Sequence, residues 1–174
     1  MPLVLNGTTG VQDNSGAFVQ GTAVASTSGT SIDFTGIPSW AKRVTIMLNN
    51  VSTNSSGRIW MQLGTGGTPT TSGYSTTYNW ISTNNSTVRS SPVTSAFPFF
   101  ADEASDFTTG VMVFTLLTGN TWMGLGGSQT TGSNAGGGST FGSISLAGAL
   151  NMVRLTTGTG TPTFDSGTVN ITWE

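Results

Sequence analysis

Residues 31–51 constrain the fold more than any other part of the chain. Ile32 and Phe34 alternate with polar residues, and an apolar residue at every second position is typical of a strand with one buried face. Residues 36–39 interrupt the alternation. Pro38 favours a bend there, because its ring fixes φ and biases the preceding residue toward an extended conformation. The alternation then resumes with Val44, Ile46 and Leu48. This stretch therefore predicts a strand, a corner and a second strand.

The rest of the chain adds short strands and no amphipathic helix. Residues 111–117 are nearly all apolar, which predicts a central strand, and Gly119-Asn120 is a turn signal of the hairpin type. Near residue 174, Val169, Ile171 and Trp173 share one face of a predicted strand. About nine or ten short strands separated by turn signals favour an all-β fold, an antiparallel β-sandwich that is jelly-roll-like.

The distribution of apolar residues divides the chain into an arm and a domain. Residues 1–21 hold few apolar residues between glycines and predict an extended N-terminal arm, whereas residues 22–174 predict the β-sandwich domain. Two polar segments of that domain predict loops, since residues 64–77 are nearly all Gly, Thr, Ser and Pro and residues 126–142 are a low-complexity Gly/Ser/Thr run. Long loops are uncommon in compact domains and often carry function.

The charge content excludes several classes of function. Charged residues make up 7% of the chain and the net charge is −2, and no cluster of Lys and Arg provides the basic footprint of a nucleic-acid-binding protein. No apolar stretch approaches the roughly 20 residues that span a bilayer. We therefore expect neither a nucleic-acid partner nor membrane insertion, and a surface solvated by the hydroxyls of Ser and Thr.

The cysteine count and the first residues of the chain predict the compartment in which the protein is made and works. The chain has no Cys, and its first residues show neither a basic start nor the apolar segment of a signal peptide. A surface that is polar but uncharged is typical of proteins that work outside cells. A virion protein, made in the host cytoplasm and released by lysis, fits both observations. A cytoplasmic β protein is the alternative, and its surface would usually be more charged.

Catalytic and cofactor chemistry has few candidates. Without His or Cys, Ser/His and Cys/His nucleophiles and ordinary zinc sites are excluded. The acidic cluster of Asp102, Glu103 and Asp106 is compatible with a calcium site, with a glycosidase pair, or with a solvated turn. We expect no cofactor and no enzymatic activity, and the sequence leaves calcium binding by these carboxylates open.

Three aromatic residues are the candidate receptor-binding site. Tyr74, Tyr78 and Trp80 lie in and after the polar segment 64–77, and flat rings with a polar handle make good platforms for sugars. Host glycans stacking on these rings is one interpretation. The alternative is that the rings anchor the loop or pack between subunits. Trp40, Trp60, Trp122 and Trp173 are predicted core or subunit contacts.

The low charge also predicts oligomerisation. Exposed strand edges are usually protected by charged residues, by proline or by coverage, and this chain has few charges. A partner subunit would provide the coverage, and the outward face of the second predicted strand, with Thr45, Met47 and Asn49, is a candidate contact.

Three stretches resemble a known family of proteins. Met1-Pro-Leu-Val-Leu-Asn-Gly-Thr-Thr-Gly-Val11 resembles the opening of tail-fibre proteins of tailed bacteriophages, and residues 32–46 resemble a strand-corner-strand of their small β-sandwich domains. Residues 154–174 resemble the way those proteins end. The resemblance implies a receptor-binding virion protein that is commonly a homotrimer, with its N-terminal arm attached to other phage structural proteins and its β domain facing a host surface polysaccharide. This chain lacks the shaft of a long fibre, so a capsid decoration or head-fibre protein is the alternative.

Overall fold

The structure is a computed structural model that describes residues 5–6, 10–11, 18–83 and 87–174. The described residues contain strands and turns, and they include no helix long and apolar enough to cross a membrane. The strands are β1 (Leu5–Asn6), β2 (Gly10–Val11), β3 (Val19–Gln20), β4 (Val24–Ala25), β5 (Ser31–Thr35), β6 (Arg43–Thr53), β7 (Ile59–Thr65), β8 (Thr68–Pro69), β9 (Ser75–Ser82), β10 (Val88–Val93), β11 (Phe97–Phe99), β12 (Phe107–Thr118), β13 (Thr121–Thr131), β14 (Gly136–Ser145), β15 (Met152–Thr157) and β16 (Phe164–Trp173).

Two antiparallel sheets form a sandwich. The larger has nine strands in the order β10-β9-β14-β13-β12-β6-β16-β3, with β4 also paired to β16, and the smaller has five in the order β11-β7-β15-β5, with β8 paired to β7. The short β1 and β2 pair only with each other among the described strands. The all-β antiparallel sandwich predicted from the sequence is confirmed.

The core lies between the two sheets and is built from the inward-facing residues of each strand. β5 shows strict alternation, with Ile32 and Phe34 buried, and β6 buries Val44, Ile46 and Leu48 in the same way. The predicted central strand lies within β12, between β6 and β13. The alternation of residues 31–51 was therefore a correct guide to both strands, because one face of each is covered by the opposite sheet.

The prediction of a flexible loop over residues 126–142 is wrong. This segment forms the end of β13, a turn, and most of β14 in the large sheet. Gly126 and Gly136 face the interior, where large side chains occupy the space that a Cβ would need. A Cβ on Gly126 would lie 2.8 Å from Met112 Cε, and one on Gly136 would lie 2.8 Å from Trp80 Cε2.

The second predicted loop, residues 64–77, is shorter than expected. β7 continues to Thr65, the two-residue β8 turns back to pair with it, and β9 begins at Ser75. The irregular segment is therefore confined to a few residues before Tyr74, and the predicted aromatic site lies at the start of a strand or within it.

The predicted arm, residues 1–21, lies mostly outside the described residues. At its end, β3 pairs with β16, and the N–H of Gly21 donates to the carbonyl oxygen of Ile171 at 2.8 Å. The polypeptide is thus joined to the large sheet from Val19 onward.

Candidate functional site

The three predicted receptor-binding side chains are buried. Tyr74 and Tyr78 are each 3% exposed and Trp80 is 2% exposed. Tyr78 and Trp80 lie on the inward face of β9, which buries every second residue. None of the three rings therefore offers a surface on which a sugar can stack.

Tyr74 anchors the segment that precedes it. Its hydroxyl accepts a hydrogen bond from the N–H of Leu63 at 2.9 Å and donates to the carbonyl oxygen of Thr70 at 2.9 Å. Its ring packs edge-on against Phe97, with centroids 5.5 Å apart. Burial raises the pKa of the Tyr74 phenol above its ordinary value, and the smaller effect of the Leu63 hydrogen bond opposes this. Loop anchoring, the alternative interpretation, describes this residue.

Trp80 and Tyr78 belong to a second, small hydrophobic cluster that also includes Phe100. Trp80 stacks on Phe100 with centroids 4.2 Å apart and an interplanar angle of 19°. The Cζ of Arg58 lies 4.7 Å from the centroid of Tyr78, and the Cζ of Arg89 lies 5.6 Å from the centroid of Phe100. Guanidinium groups stacked on aromatic faces are stabilised by the ring quadrupole, so these rings hold two of the five basic residues in place.

Asp102 joins the two arginines. Its carboxylate lies 3.1 Å from Arg89 Nη1 and 3.8 Å from Arg58 Nε, and about a third of its side chain is exposed. The Nε of Arg58 is buried and has no hydrogen-bond partner among the described residues. With two guanidinium groups and one carboxylate, this cluster carries a local positive charge in a chain whose net charge is negative.

Asp106 positions the segment that carries Asp102. Its fully buried carboxylate accepts hydrogen bonds from the N–H groups of Asp102 (3.0 Å), Glu103 (3.1 Å) and Asn134 (2.9 Å), and from Asn134 Nδ2 (3.0 Å). The segment 101–106 is thereby tied to the turn between β13 and β14. The described residues contain no group of three acidic, His or Cys side chains that could hold a metal ion. The three predicted carboxylates therefore do not converge, since Asp102 faces arginines and Asp106 faces N–H groups.

A pocket of about 270 Å³ opens beside this cluster. We call it the Arg58–Trp60 pocket, and it is lined by Ser56, Gly57, Arg58, Trp60, Asp102, Gly158 and Thr159. Trp60 is half-buried on the outward face of β7, and its Nε1 has no hydrogen-bond partner among the described residues. The backbone of Gly158 packs closely against the indole, so that a Cβ at this position would lie 2.9 Å from Trp60 Cε2.

The lining of this pocket suits a polyhydroxylated ligand. An indole face packs against the C–H face of a sugar ring, while guanidinium and carboxylate groups form charge-assisted hydrogen bonds with hydroxyl groups. Ser56 and Thr159 add hydroxyls. Of the described lining residues only Asp102 is a carboxylate, whereas most glycoside hydrolases use two. The pocket is therefore better suited to binding than to hydrolysis.

Sequence reasoning assigned Trp60 to the core or to a subunit contact and did not identify this pocket. The signal was present in the alternation of β7, because Ile59, Met61 and Leu63 face inward and Trp60 must then face outward. Nothing in the sequence places Asp102 or Gly158 beside it, since these residues come from segments far apart in the chain.

A second surface lies on the outward side of the large sheet. We call it the outer apolar face, and it consists of Val111, Val113, Met123, Leu125 and Phe141 on the neighbouring strands β12, β13 and β14. Met47, which was predicted as a subunit contact, is directly opposite Val111 across the pairing of β6 with β12. This face is distinct from the Arg58–Trp60 pocket, which lies where β7 begins and β15 ends in the smaller sheet.

Comparisons with known proteins leave the family of this chain unassigned. No protein-family model matches the chain, and no curated protein matches it. Among solved structures, the crystal structure of the infectious bursal disease virus VP2 subviral particle aligns with 99% of this chain and 45% of that chain, at 15% identity and a TM-score of 0.14. A likeness this weak identifies neither the fold nor the function of this chain.

Proposed function

We propose that this protein is a non-enzymatic virion protein of a tailed bacteriophage, a tail fibre or tail tip that attaches to a polysaccharide of the host cell surface. The observation that carries the proposal is the Arg58–Trp60 pocket, which brings an indole, a guanidinium and a carboxylate together at the surface of a sandwich with few charges. The resemblance of residues 1–11, 32–46 and 154–174 to tail-fibre proteins adds support.

The assembly of such a protein follows from the same resemblance. We propose a homotrimer whose N-terminal arm, residues 1–21, attaches to other phage structural proteins and whose sandwich faces the host. In this arrangement the pocket would be repeated three times, and binding of a repeating polysaccharide would gain from multivalency.

A panel of purified bacterial surface polysaccharides tests the proposal. The wild-type protein is expected to bind at least one of them, and Trp60→Ala is expected to weaken that binding by about 10-fold or more through loss of the stacking surface. Trp173→Ala is the matched control, because it removes another half-buried indole, one that lies outside the pocket.

Two results would count against this function. Binding by Trp60→Ala that equals wild type would remove the pocket from the proposal, and absence of binding across the panel would remove glycan attachment. Release of oligosaccharide during prolonged incubation would contradict the non-enzymatic part.

The outer apolar face favours a second candidate, a capsid decoration or head-fibre protein. A nearly uncharged apolar sheet face suits close packing against other subunits of a particle. The number of copies per virion separates the candidates, because a few dozen copies fit a tail and a hundred or more fit a capsid.

A further inference from the structure

The outer apolar face exposes several large apolar side chains that lie next to one another. Leu125 is 57% exposed, Phe141 48%, and Val111 and Met123 44% each. The strand registers place Val113, Leu125 and Phe141 side by side in one row across three strands. Single exposed apolar residues are normal on protein surfaces, but a contiguous patch indicates an interaction site.

The same face is almost free of charge. Across the described parts of β6, β12, β13, β14 and β9, the one charged side chain on the outward side is Arg43, which is paired with Glu174 at 3.2 Å. Hydroxyl side chains border the patch on both sides. Thr45 is paired with Val113 on one side, and Thr77 is paired with Phe141 on the other. A surface without charge is complementary to another uncharged surface, and a second copy of this face is such a surface.

The shape of the outer apolar face also suits contact with the same face of a second copy. Leu125 and Phe141 protrude beside a depression of about 520 Å³, and its lining also includes Val113, Thr115, Met123 and the ion-paired Arg43. On the other side of the row, Gly127 leaves the position between Val111 and Ser139 without a side chain. Each copy therefore carries both projecting side chains and hollows, and two sheets that pack face to face lie about 10 Å apart.

The outward side of the large sheet, with the outer apolar face at its centre, has the area that a stable interface needs. The seven neighbouring strands from β10 to β16, spaced about 4.8 Å apart, make this side of the sheet about 29 Å wide, and the eight residue steps from Met123 to Thr131 make it about 27 Å long. The resulting footprint is on the order of 780 Å², close to the roughly 800 Å² that each partner contributes to a standard-size interface.

We propose that the outer apolar face is covered by a second copy of this chain in solution, with Leu125 and Phe141 as its central contacts. This inference rests on the exposed face alone and does not depend on the proposed glycan function. A bound copy would also cover Met47 on β6, which the sequence predicted as a subunit contact.

Light scattering coupled to size-exclusion chromatography tests the proposal on the full chain. Wild type at about 10–100 μM is expected to have a mass two or three times the 17.8 kDa of a single chain. Leu125→Glu places a carboxylate at the centre of the contact, and burying an unpaired charge is expected to weaken association by about 100-fold or more, which gives the monomer mass. The control is Leu117→Glu, the same substitution at a 65% exposed position near the β12–β13 turn, which is expected to keep the wild-type mass.

Circular dichroism distinguishes a loss of association from a folding defect in the variants. Leu125→Glu and the milder Leu125→Thr are both expected to retain the β-type circular dichroism of wild type, because the side chain contributes little to the core of one copy. A monomeric wild type at 100 μM would overturn the inference, as would a wild-type mass in both Leu125 variants or equal dissociation of Leu117→Glu.

Discussion

Replacing Asp106 is expected to loosen the segment that carries Asp102. Asp106 is fully buried, and its carboxylate accepts hydrogen bonds from three backbone N–H groups and from one side-chain amide, at 2.9 to 3.1 Å. In Asp106→Ala all four donors lose their acceptor. In Asp106→Asn one oxygen becomes an amide nitrogen, so one bond is lost and two donors face each other.

The magnitude follows from the count of bonds. The donors are partly buried, so water can replace some of the lost acceptors, and a value near 1 kcal/mol per bond is appropriate. Asp106→Ala is therefore expected to lower the free energy of unfolding by about 4 kcal/mol and Asp106→Asn by about 1–2 kcal/mol. For a chain of this length, 4 kcal/mol corresponds to a fall in Tm of about 8–16 °C.

Urea unfolding and hydrogen exchange measure this effect together. The amides of Asp102, Glu103 and Asn134 are expected to exchange faster in both variants, while amides in the centre of the large sheet change much less. Glu103→Gln is the control, since it also converts a carboxylate to an amide in the same segment but at an exposed position, and it is expected to change stability by less than about 0.5 kcal/mol. A loss below about 1 kcal/mol in Asp106→Ala would refute the reasoning that these four bonds hold the segment.

Two further predictions concern the core. Because burial raises the Tyr74 pKa above its ordinary 10.0, the unfolded chain ionises first at high pH. Below pH 10.0 the difference in the free energy of unfolding between wild type and Tyr74→Phe has its full value. At about pH 11 this difference should be smaller by about 1.4 kcal/mol. Urea titrations at alkaline pH that show a constant difference would contradict this. Gly124→Ala places a Cβ 2.7 Å from Phe97 Cδ1 and should cost about 1–3 kcal/mol by overpacking. Gly127→Ala, whose added Cβ would have its nearest contact at 3.6 Å, should lower the free energy of unfolding much less. Thermal melts compare the two variants, and equal losses of stability would argue against a steric cause.

The strands that sequence reasoning found are those with one polar and one apolar face. β5, β6 and the middle of β12 were predicted because their buried residues recur at every second position, and that pattern depends only on near neighbours in the chain. β13 and β14 were partly missed because their inward positions hold glycine. The volume there is filled by Phe97, Met112 and Trp80 from other strands, and no local pattern reports a side chain that arrives from elsewhere.

The candidate site was harder to predict than the fold for the same reason. Tyr74, Tyr78 and Trp80 were read as exposed because the residues around them are polar, yet Thr76 and Ser82 on the inward face are buried as well. Threonine and serine satisfy their hydroxyls on nearby carbonyl oxygens, as Thr76 does with Val93 and Ala96. In a chain with so many hydroxyl side chains, polarity is a poor guide to exposure.

The position of β16 has a consequence for the order in which the protein is made. β16 pairs with β6 along most of its length and also with β3 and β4, and 110 residues separate the end of β6 from the start of β16. At about 5–20 residues per second, synthesis of β16 therefore begins roughly 6–22 s after that of β6 has ended. During that interval the backbone N–H and carbonyl groups of β6 lie open on one edge, which is the condition under which nascent β proteins aggregate or recruit chaperones. Nascent chains stalled before residue 164 should be captured by holdase chaperones far more than chains carried past residue 174.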